Sequence, residues 1–269
     1  MNIVITGGTR GIGRGMAEEF VRRGHDVVIS GRDAAAVERA ATEIEATGSG
    51  RCTGAAGEIS LAATHEALWS LAVERFGPVD IWVNNAGMTN RKQKLDQVPP
   101  EEVQAVVSAN LTGLINGCRV AIAGMLEQGK GKIFNMEGFG SDGMTQEGMT
   151  TYGATKRAVR YVTDSLAKEY ADSPLIIANL SPGIVVTEFV TRDLYAHDPE
   201  ELNKRKKFLN LLADRVETVA PALVDGMLAL DKNGGAVRWM TPTQALGRIL
   251  VSPFRKRDPF AEPAGAGSQ

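Results

Sequence analysis

Tyr152 and Lys156 stand four residues apart in Tyr152-x-x-x-Lys156, a spacing that sets both side chains on one face of a helix. A free phenol has a pKa of roughly 10, too high to exchange protons readily at neutral pH. An ammonium a few ångströms away favours the phenolate and lowers that value. Such a tyrosine can protonate a carbonyl oxygen while hydride reaches the carbon, or run the reverse reaction. The same spacing arises by chance on many helices, so the pair takes its meaning from what accompanies it.

A second set of residues suits a phosphate ligand. The apolar run Asn2–Thr6 leads directly into Gly7-Gly8-Thr9-Arg10-Gly11-Ile12-Gly13. Ile12, Met16 and Phe20 then recur every four residues, with Ala17 and Val21 beside them, as on a helix that buries one face. Strand, glycine turn and helix are the context of a dinucleotide site. Glycines let the backbone approach a pyrophosphate, and the helix start offers free N–H groups and a positive dipole end. Gly7, Thr9, Arg10, Gly11, Ile12 and Gly13 are the candidate contacts. The next strand, Asp26–Ser30, ends in Gly31-Arg32 with no acid to grip a ribose 2′-hydroxyl. Arg32, with Arg10 as a second candidate, fits a 2′-phosphate, which favours NADPH or NADP over NAD. Asp33 follows Arg32, and an inward-pointing Asp33 would reverse that preference.

The T-G-x-x-x-G-I-G turn, Asn84-Asn85-Ala86-Gly87 and Tyr152-x-x-x-Lys156 occur in that order. Together they resemble the short-chain dehydrogenase/reductase superfamily over roughly residues 2 to 190. The resemblance implies that Asn85, Ala86 and Gly87 border the cofactor and that Glu58 and Ile59 lie near the adenine. It implies that Lys156 also holds the nicotinamide ribose, and that Asn110 positions Lys156 through a water. Pro182, Gly183, Val185 and Thr187 would close over the nicotinamide. In most relatives an Asn-Ile-Ser-Ser segment supplies a serine that bonds the substrate carbonyl. Here the run is Asn135-Met136-Glu137-Gly138, with Phe139 next. Three substitutes stay open: Ser141 on a loop that folds back, backbone N–H groups of residues 138 to 140, or Tyr152 unaided.

The run F-N-M-E-G-F-G-S-D-G, followed by Tyr152-Gly153-Ala154-Thr155-Lys156, resembles one branch of that superfamily, the chlorophyll b reductases and their bacterial homologues. Lys207–Asn210, Glu217–Ala220 and Trp239–Pro242 continue the likeness. The branch implies a carbonyl substrate that is a tetrapyrrole pigment, with a 7-formyl group reduced to hydroxymethyl. Alternatives are a small keto or hydroxy compound as substrate, or a non-catalytic NADPH-binding regulator. Family habit implies a homodimer or homotetramer.

These residues need a scaffold that brings distant loops together. At 269 residues the chain suits one α/β domain over 1–260, a Rossmann-type doubly wound parallel sheet flanked by helices. Further strands are expected at Val79–Val83, Lys132–Met136, Leu175–Leu180 and Val237–Met240. Helices are expected near Ala34–Ala46, Leu61–Phe76, Glu101–Glu127 with an interruption, Thr150–Ala171 and Thr218–Leu230. Residues 187–207 read as a substrate lid, 240–260 as a C-terminal extension and 261–269 as a disordered tail rich in Gly, Ala and Pro. In the extension Leu246, Ile249, Leu250 and Phe254 recur at helical spacing beside Arg248, Arg255, Lys256 and Arg257. They fit either a peripheral membrane contact or packing on the core or a sister subunit.

A net charge of −2 gives no sign of nucleic-acid binding. Cys52 and Cys118 are too few for a disulfide framework, and His25, His65 and His197 fall in no ligand spacing, so no metal site is expected. No leader and no apolar run of roughly 18 residues is evident, which suggests a soluble cytoplasmic enzyme.

Overall fold

The computed structural model describes residues 1–188, 190, 206, 209–252 and 257–260. Strands β1 (Asn2–Ile5), β2 (Asp26–Gly31), β3 (Cys52–Ala56), β4 (Ile81–Asn84), β5 (Gly131–Met136), β6 (Leu175–Ser181) and β9 (Ala236–Arg238) form one sheet in the order β3-β2-β1-β4-β5-β6-β9. Every neighbouring pair is parallel. A second, parallel pair joins β7 (Ile184–Val186) to β8 (Ala213–Arg215). Strands buried on both faces read as continuous apolar runs, as β1, β2 and β4 do. Ile3, Ile5, Val27, Ile29, Ile81 and Val83 face one way, onto α1 (Gly11–Arg22), α2 (Ala34–Glu45) and α7 (Val216–Ala229). Val4, Val28, Trp82 and Ile133 face the other, onto α3 (Ala62–Phe76), α5 (Gly113–Gln128) and α6 (Thr150–Glu169). The expected doubly wound sheet is therefore present. Its order reverses between β1 and β4, which opens a crevice at the carboxyl ends of the strands.

The structure departs from the sequence reading in several places. Strand β3 was not anticipated, and β4 begins at Ile81 rather than Val79. The helix over Glu101–Glu127 does not break. Helix α4 (Pro100–Val107) passes through a π turn, Ser108–Thr112, straight into α5. The resulting stretch Pro100–Gln128 is 29 residues long and apolar enough to cross a membrane, contrary to the expectation that no such run exists. Its apolar residues Leu114, Cys118, Ala121, Ile122 and Met125 are buried with Leu68 and Ala72 of α3 in the core, which accounts for the apolarity.

Of the expected lid, residues 189, 191–205 and 207 lie outside the described residues, as do His197, Phe208, Phe254–Lys256 and the tail 261–269. Strands β7 and β8 flank the expected lid in the chain. In α8 (Pro242–Val251) the apolar residues Leu246, Ile249 and Leu250 are exposed rather than packed on the core. Arg248 and Arg257 turn instead to the buried carboxylate of Asp214 on β8, Arg248 at 2.6 Å, and Trp239 Nε1 donates to the same carboxylate at 2.7 Å.

Candidate active site

Helix α6 presents Tyr152 and Lys156 on one face, 7% and 4% exposed respectively. Lys156 Nζ donates to the Met136 carbonyl at 3.0 Å and lies 5.9 Å from the centre of the Tyr152 ring. Burial pushes the Lys156 ammonium down to about 8, with Glu137 pulling the opposite way. Burial also pushes the Tyr152 phenol above its ordinary value. The lowered phenol expected from the sequence is thus not what the protein alone delivers. Desolvation of the phenolate is the cause.

Gly138 explains the absent serine in steric terms. A Cβ built on Gly138 overlaps Tyr152 Oη and sits 3.2 Å from Lys156 Cε and Cγ. The space that a serine side chain would start from is filled by the phenol. Ser141 does fold back, its N–H donating to the Gly138 carbonyl at 3.1 Å, while Arg157 Nη1 donates to the Ser141 carbonyl at 2.9 Å. Gly140, at φ 92°, lets this turn press on α6, where a Cβ would meet Gly153 Cα at 2.7 Å. Ser141 is buried, and its hydrogen bonds among the described residues run through its backbone.

Asn110 sits in the π turn and is buried. Its Nδ2 donates to the Met88 carbonyl at 2.9 Å and to Thr155 Oγ1 at 3.0 Å, while its Oδ1 accepts from Met88 N–H at 2.8 Å. Thr155 in turn donates to the Tyr152 carbonyl at 2.7 Å. Asn110 therefore braces the start of α6 through Thr155. A π turn rotates a side chain out of helical register, and such turns recur at functional sites. Beneath the site runs a feature that the sequence reading missed. Asn84, Asn135 and Asn179 are register partners across β4, β5 and β6. Asn84 Nδ2 donates to Asn135 Oδ1 at 2.8 Å, and Asn135 Nδ2 to Thr163 Oγ1 at 3.0 Å. Cys118 packs into this network, and burial pushes its thiol, like that of Cys52, up to about 12, so neither is a nucleophile.

The glycine turn fits a dinucleotide phosphate. Gly7, at φ 69°, approaches the strand β4 exit so closely that a Cβ would lie 2.9 Å from Ala86 Cα. Helix α1 starts with no side-chain cap and no acid in its first turn, leaving its N–H groups for an anion. Asn85 Nδ2 donates to the Thr6 and Gly7 carbonyls at 2.9 and 3.0 Å, and the N–H groups of Asn85 and Ala86 both reach Thr6 Oγ1 at 3.0 Å. Asn85 is thus a brace for the turn, and Thr6 is a further site residue that the sequence reading passed over. Gly87 sits between Asn110 and Lys156, its Cβ position 3.0 Å from Asn110 Oδ1 and 3.7 Å from Lys156 Nζ. Ile12 packs on the core, so only its backbone faces the turn.

Thr9 packs on Gly31 at the end of β2. Beyond it Arg32 is exposed, while Asp33 caps α2 by accepting from Ala36 N–H at 2.7 Å and so is committed elsewhere. Arg10 pairs with Glu188 at 2.6 Å across the crevice. Glu58 is exposed and bonds Ser60; the Ile59 carbonyl meets the buried His65 at 2.8 Å. On the far side, Gly183 at φ 68° turns the chain after Pro182, and Thr187 Oγ1 donates to the Val185 carbonyl at 3.4 Å. Thr187 Cγ2 lies 3.4 Å from the Cβ position of Gly11, which brings the two expected cofactor segments together. No cluster of metal ligands occurs among the described residues.

A family model described as short chain dehydrogenase matches residues 1–196. The chain is 34% identical to the chlorophyll(ide) b reductase NOL of Oryza sativa subsp. japonica, over 93% of this chain and 74% of that protein. It is 32% identical to the probable chlorophyll(ide) b reductase NYC1 of Arabidopsis thaliana over 95% of its own length, but spans only 53% of that relative. Both relatives are described as chloroplastic. Among solved structures, a 3-ketoacyl-(acyl-carrier-protein) reductase from Brucella melitensis complexed with NADH is similar, with a TM-score of 0.76 and 30% identity over 90% of this chain and 97% of that one.

Proposed function

This chain belongs to the short-chain dehydrogenase family, and we propose that it is an NADPH-dependent reductase of a formyl group on a large apolar pigment, best matched by the 7-formyl of chlorophyll b. The observation that carries the reading is the buried Tyr152–Lys156 pair set against the bare backbone of Gly138. With no side chain at 138, the phenol is covered only by backbone on that side, which suits a carbonyl carried on a wide, flat ring system. The similarity to relatives called chlorophyll(ide) b reductases supports the same substrate class.

The nicotinamide, when bound, supplies hydride to the carbonyl carbon. The residues of the chain supply the rest. At neutral pH the phenol of Tyr152 is protonated, and it passes that proton to the developing alkoxide oxygen. Lys156, still mostly an ammonium below about pH 8, offsets the phenolate left behind. One of its three donors goes to Met136, leaving two for a ribose hydroxyl. The N–H groups at the start of α1 and the braced glycine turn hold the pyrophosphate. Arg32 binds the 2′-phosphate, since Asp33 is engaged as a helix cap. Arg10 joins it only by leaving Glu188.

The test is conversion of chlorophyll b by the purified protein with NADPH or NADH, followed by absorbance. Wild type should give the hydroxymethyl product with NADPH favoured. Tyr152→Phe should lose at least about a hundredfold. Turnover of small ketones but not of the pigment would move the substrate assignment, and full activity in Tyr152→Phe would remove the mechanism.

A further inference from the structure

Helix α6 carries charge beyond Lys156. Tyr152, Lys156, Arg160 and Asp164 recur every four residues, forming one stripe along the face that meets the ends of β5 and β6. Each of the last three has a partner there. Lys156 donates to the Met136 carbonyl, Arg160 Nη1 meets Glu137 Oε1 at 3.2 Å, and Asn179 Nδ2 donates to Asp164 Oδ1 at 2.9 Å. Arg160 Nε also lies 3.7 Å from Asp164. Glu137 is the unexpected member. Its side chain is 3% exposed, and a carboxylate so buried is costly unless cations face it. Its ion-pair partner among the described residues, Arg160, is about a third exposed and itself shared with Asp164.

The chain position of Glu137 supplies a second cation. It follows Met136, whose carbonyl holds Lys156 Nζ, and its backbone N–H is fixed to the Leu180 carbonyl at 2.8 Å. Lys156 and Arg160, on successive turns of α6, thus meet consecutive residues at the end of β5, Lys156 at the Met136 carbonyl and Arg160 at the Glu137 carboxylate. The charged and titratable groups facing Lys156 are Tyr152 and Arg160 from its own helix and Glu137 from the end of β5. From the exit of β4 and from the π turn the facing residues are Gly87 and Asn110, both uncharged. We infer that Glu137 is a positioning residue that keeps Lys156 an ammonium while Tyr152 surrenders its proton. The inference rests on the reductase reading of the pair. Burial draws the ammonium down toward neutral pH, and Glu137 opposes that pull. Without it, burial would draw the ammonium further down, and less of that charge would remain beside Tyr152.

The experiment compares wild type with Glu137→Gln and Glu137→Asp. Gln keeps the shape and can still accept from Arg160, so the fold should hold, with a urea midpoint lowered by loss of the ion pair. In the cofactor-free protein, the rate of Lys156 acetylation by acetic anhydride is followed against pH by mass spectrometry, since only the neutral amine reacts. Its midpoint should fall by about one pH unit in Glu137→Gln and return most of the way in Glu137→Asp. The alkaline limb of kcat/KM for carbonyl reduction should fall with it, a roughly fivefold loss near pH 8 that vanishes near pH 6. An unchanged Lys156 midpoint overturns the inference, even if activity drops along with stability. The acetylation readout needs no substrate, so a shifted midpoint in a protein that reduces no carbonyl would sink the reductase reading and leave the Glu137–Lys156 coupling standing.

Discussion

Replacing Gly138 by alanine should disable the enzyme without unfolding it. The new Cβ overlaps Tyr152 Oη and stands 3.2 Å from two carbons of Lys156. Something must yield, and the backbone is the stiffer partner. The Gly138 carbonyl accepts from Ser141 N–H, and the turn beyond is clamped on Gly153 and Arg157. The phenol therefore moves, by roughly 1 Å to reach ordinary contact, and a misplacement of that size costs about a hundredfold in rate. That corresponds to about 2.7 kcal/mol of barrier, alongside about 1–3 kcal/mol of overpacking in stability. The assay is kcat/KM for NADPH-dependent pigment reduction, with urea unfolding as the control. Gly138→Ser is the sharper companion, because it restores the hydroxyl common in the wider family. The clash comes from Cβ, so serine should be no better than alanine. Wild-type kcat/KM in Gly138→Ala, within threefold and with an intact fold, would refute the argument. So would a serine variant ten times more active than the alanine one, since the place would then be open to a hydroxyl.

Two further outcomes follow from buried charge. In the cofactor-free chain Lys156 releases its proton near pH 8, against 10.5 for an ordinary lysine. Below pH 8 folded and unfolded chains both hold the proton, and the buried ammonium exacts its full cost. Between 8 and 10.5 the folded chain releases first, so stability rises with pH. Tyr152 works the other way only above its ordinary value near 10. The stability of wild type relative to Lys156→Met should therefore climb by about 2–3 kcal/mol between pH 7.5 and 10, read from urea midpoints; a flat difference would deny the depressed lysine. Asp214 is the second case. Burial pushes its carboxyl up, but bonds from Trp239 and Arg248 outweigh that and hold it below the usual range, Arg257 adding to the effect. Asp214→Asn leaves two half-buried guanidiniums short of a counter-charge and should cost about 2–4 kcal/mol at pH 7. The depressed carboxyl contributes above about pH 4 and loses that contribution as pH falls, so the deficit should shrink in acid. An equal deficit at pH 3 and pH 7 would assign Asp214 no ionic role.

What the sequence disclosed was whatever repeats over a few residues. The run Asn2–Thr6, the glycine turn and the four-residue rhythm of Ile12, Met16 and Phe20 all lie within one short window, and β1 and α1 formed where expected. The Tyr152–Lys156 spacing is likewise local. Strand β3 escaped because Cys52-Thr53-Gly54-Ala55-Ala56 has little intrinsic strand preference. It forms because β2 offers a partner from Cys52 to Ala56, and because Gly54 leaves room for Val37 and Ile29 to pack against it. The asparagine ladder was hidden for a related reason. Asn84, Asn135 and Asn179 are about fifty residues apart, and only the register of three parallel strands sets them side by side. Asp214 gave no signal at all, since Trp239, Arg248 and Arg257 reach it from later parts of the chain. An interruption was expected within Glu101–Glu127, and no break occurs. The helix continues, but through a π turn that swings Asn110 toward Met88 and Thr155.

The missing serine and the burial of the phenol are two sides of one arrangement. In a site with a serine beside it, a tyrosine has a polar neighbour to stabilise its anion. Here Gly138 lets the phenol press against bare backbone, and burial raises the phenol instead of lowering it. A phenol that resists ionisation is rarely present as the phenolate, and oxidation of an alcohol would need that phenolate as base. It is a well-stocked donor at every pH below its own pKa, and reduction of a carbonyl needs only the donor. The ammonium beside it has the complementary weakness, being drawn toward neutrality by the same burial. The pair thus stays competent for reduction only while Lys156 keeps its proton, and among the described residues Glu137 is the carboxylate that opposes its loss. Gly138 and Glu137 are adjacent in the chain and act in opposite senses on adjacent turns of α6. One keeps the tyrosine protonated, and the other preserves the charge that offsets the phenolate left when the proton goes.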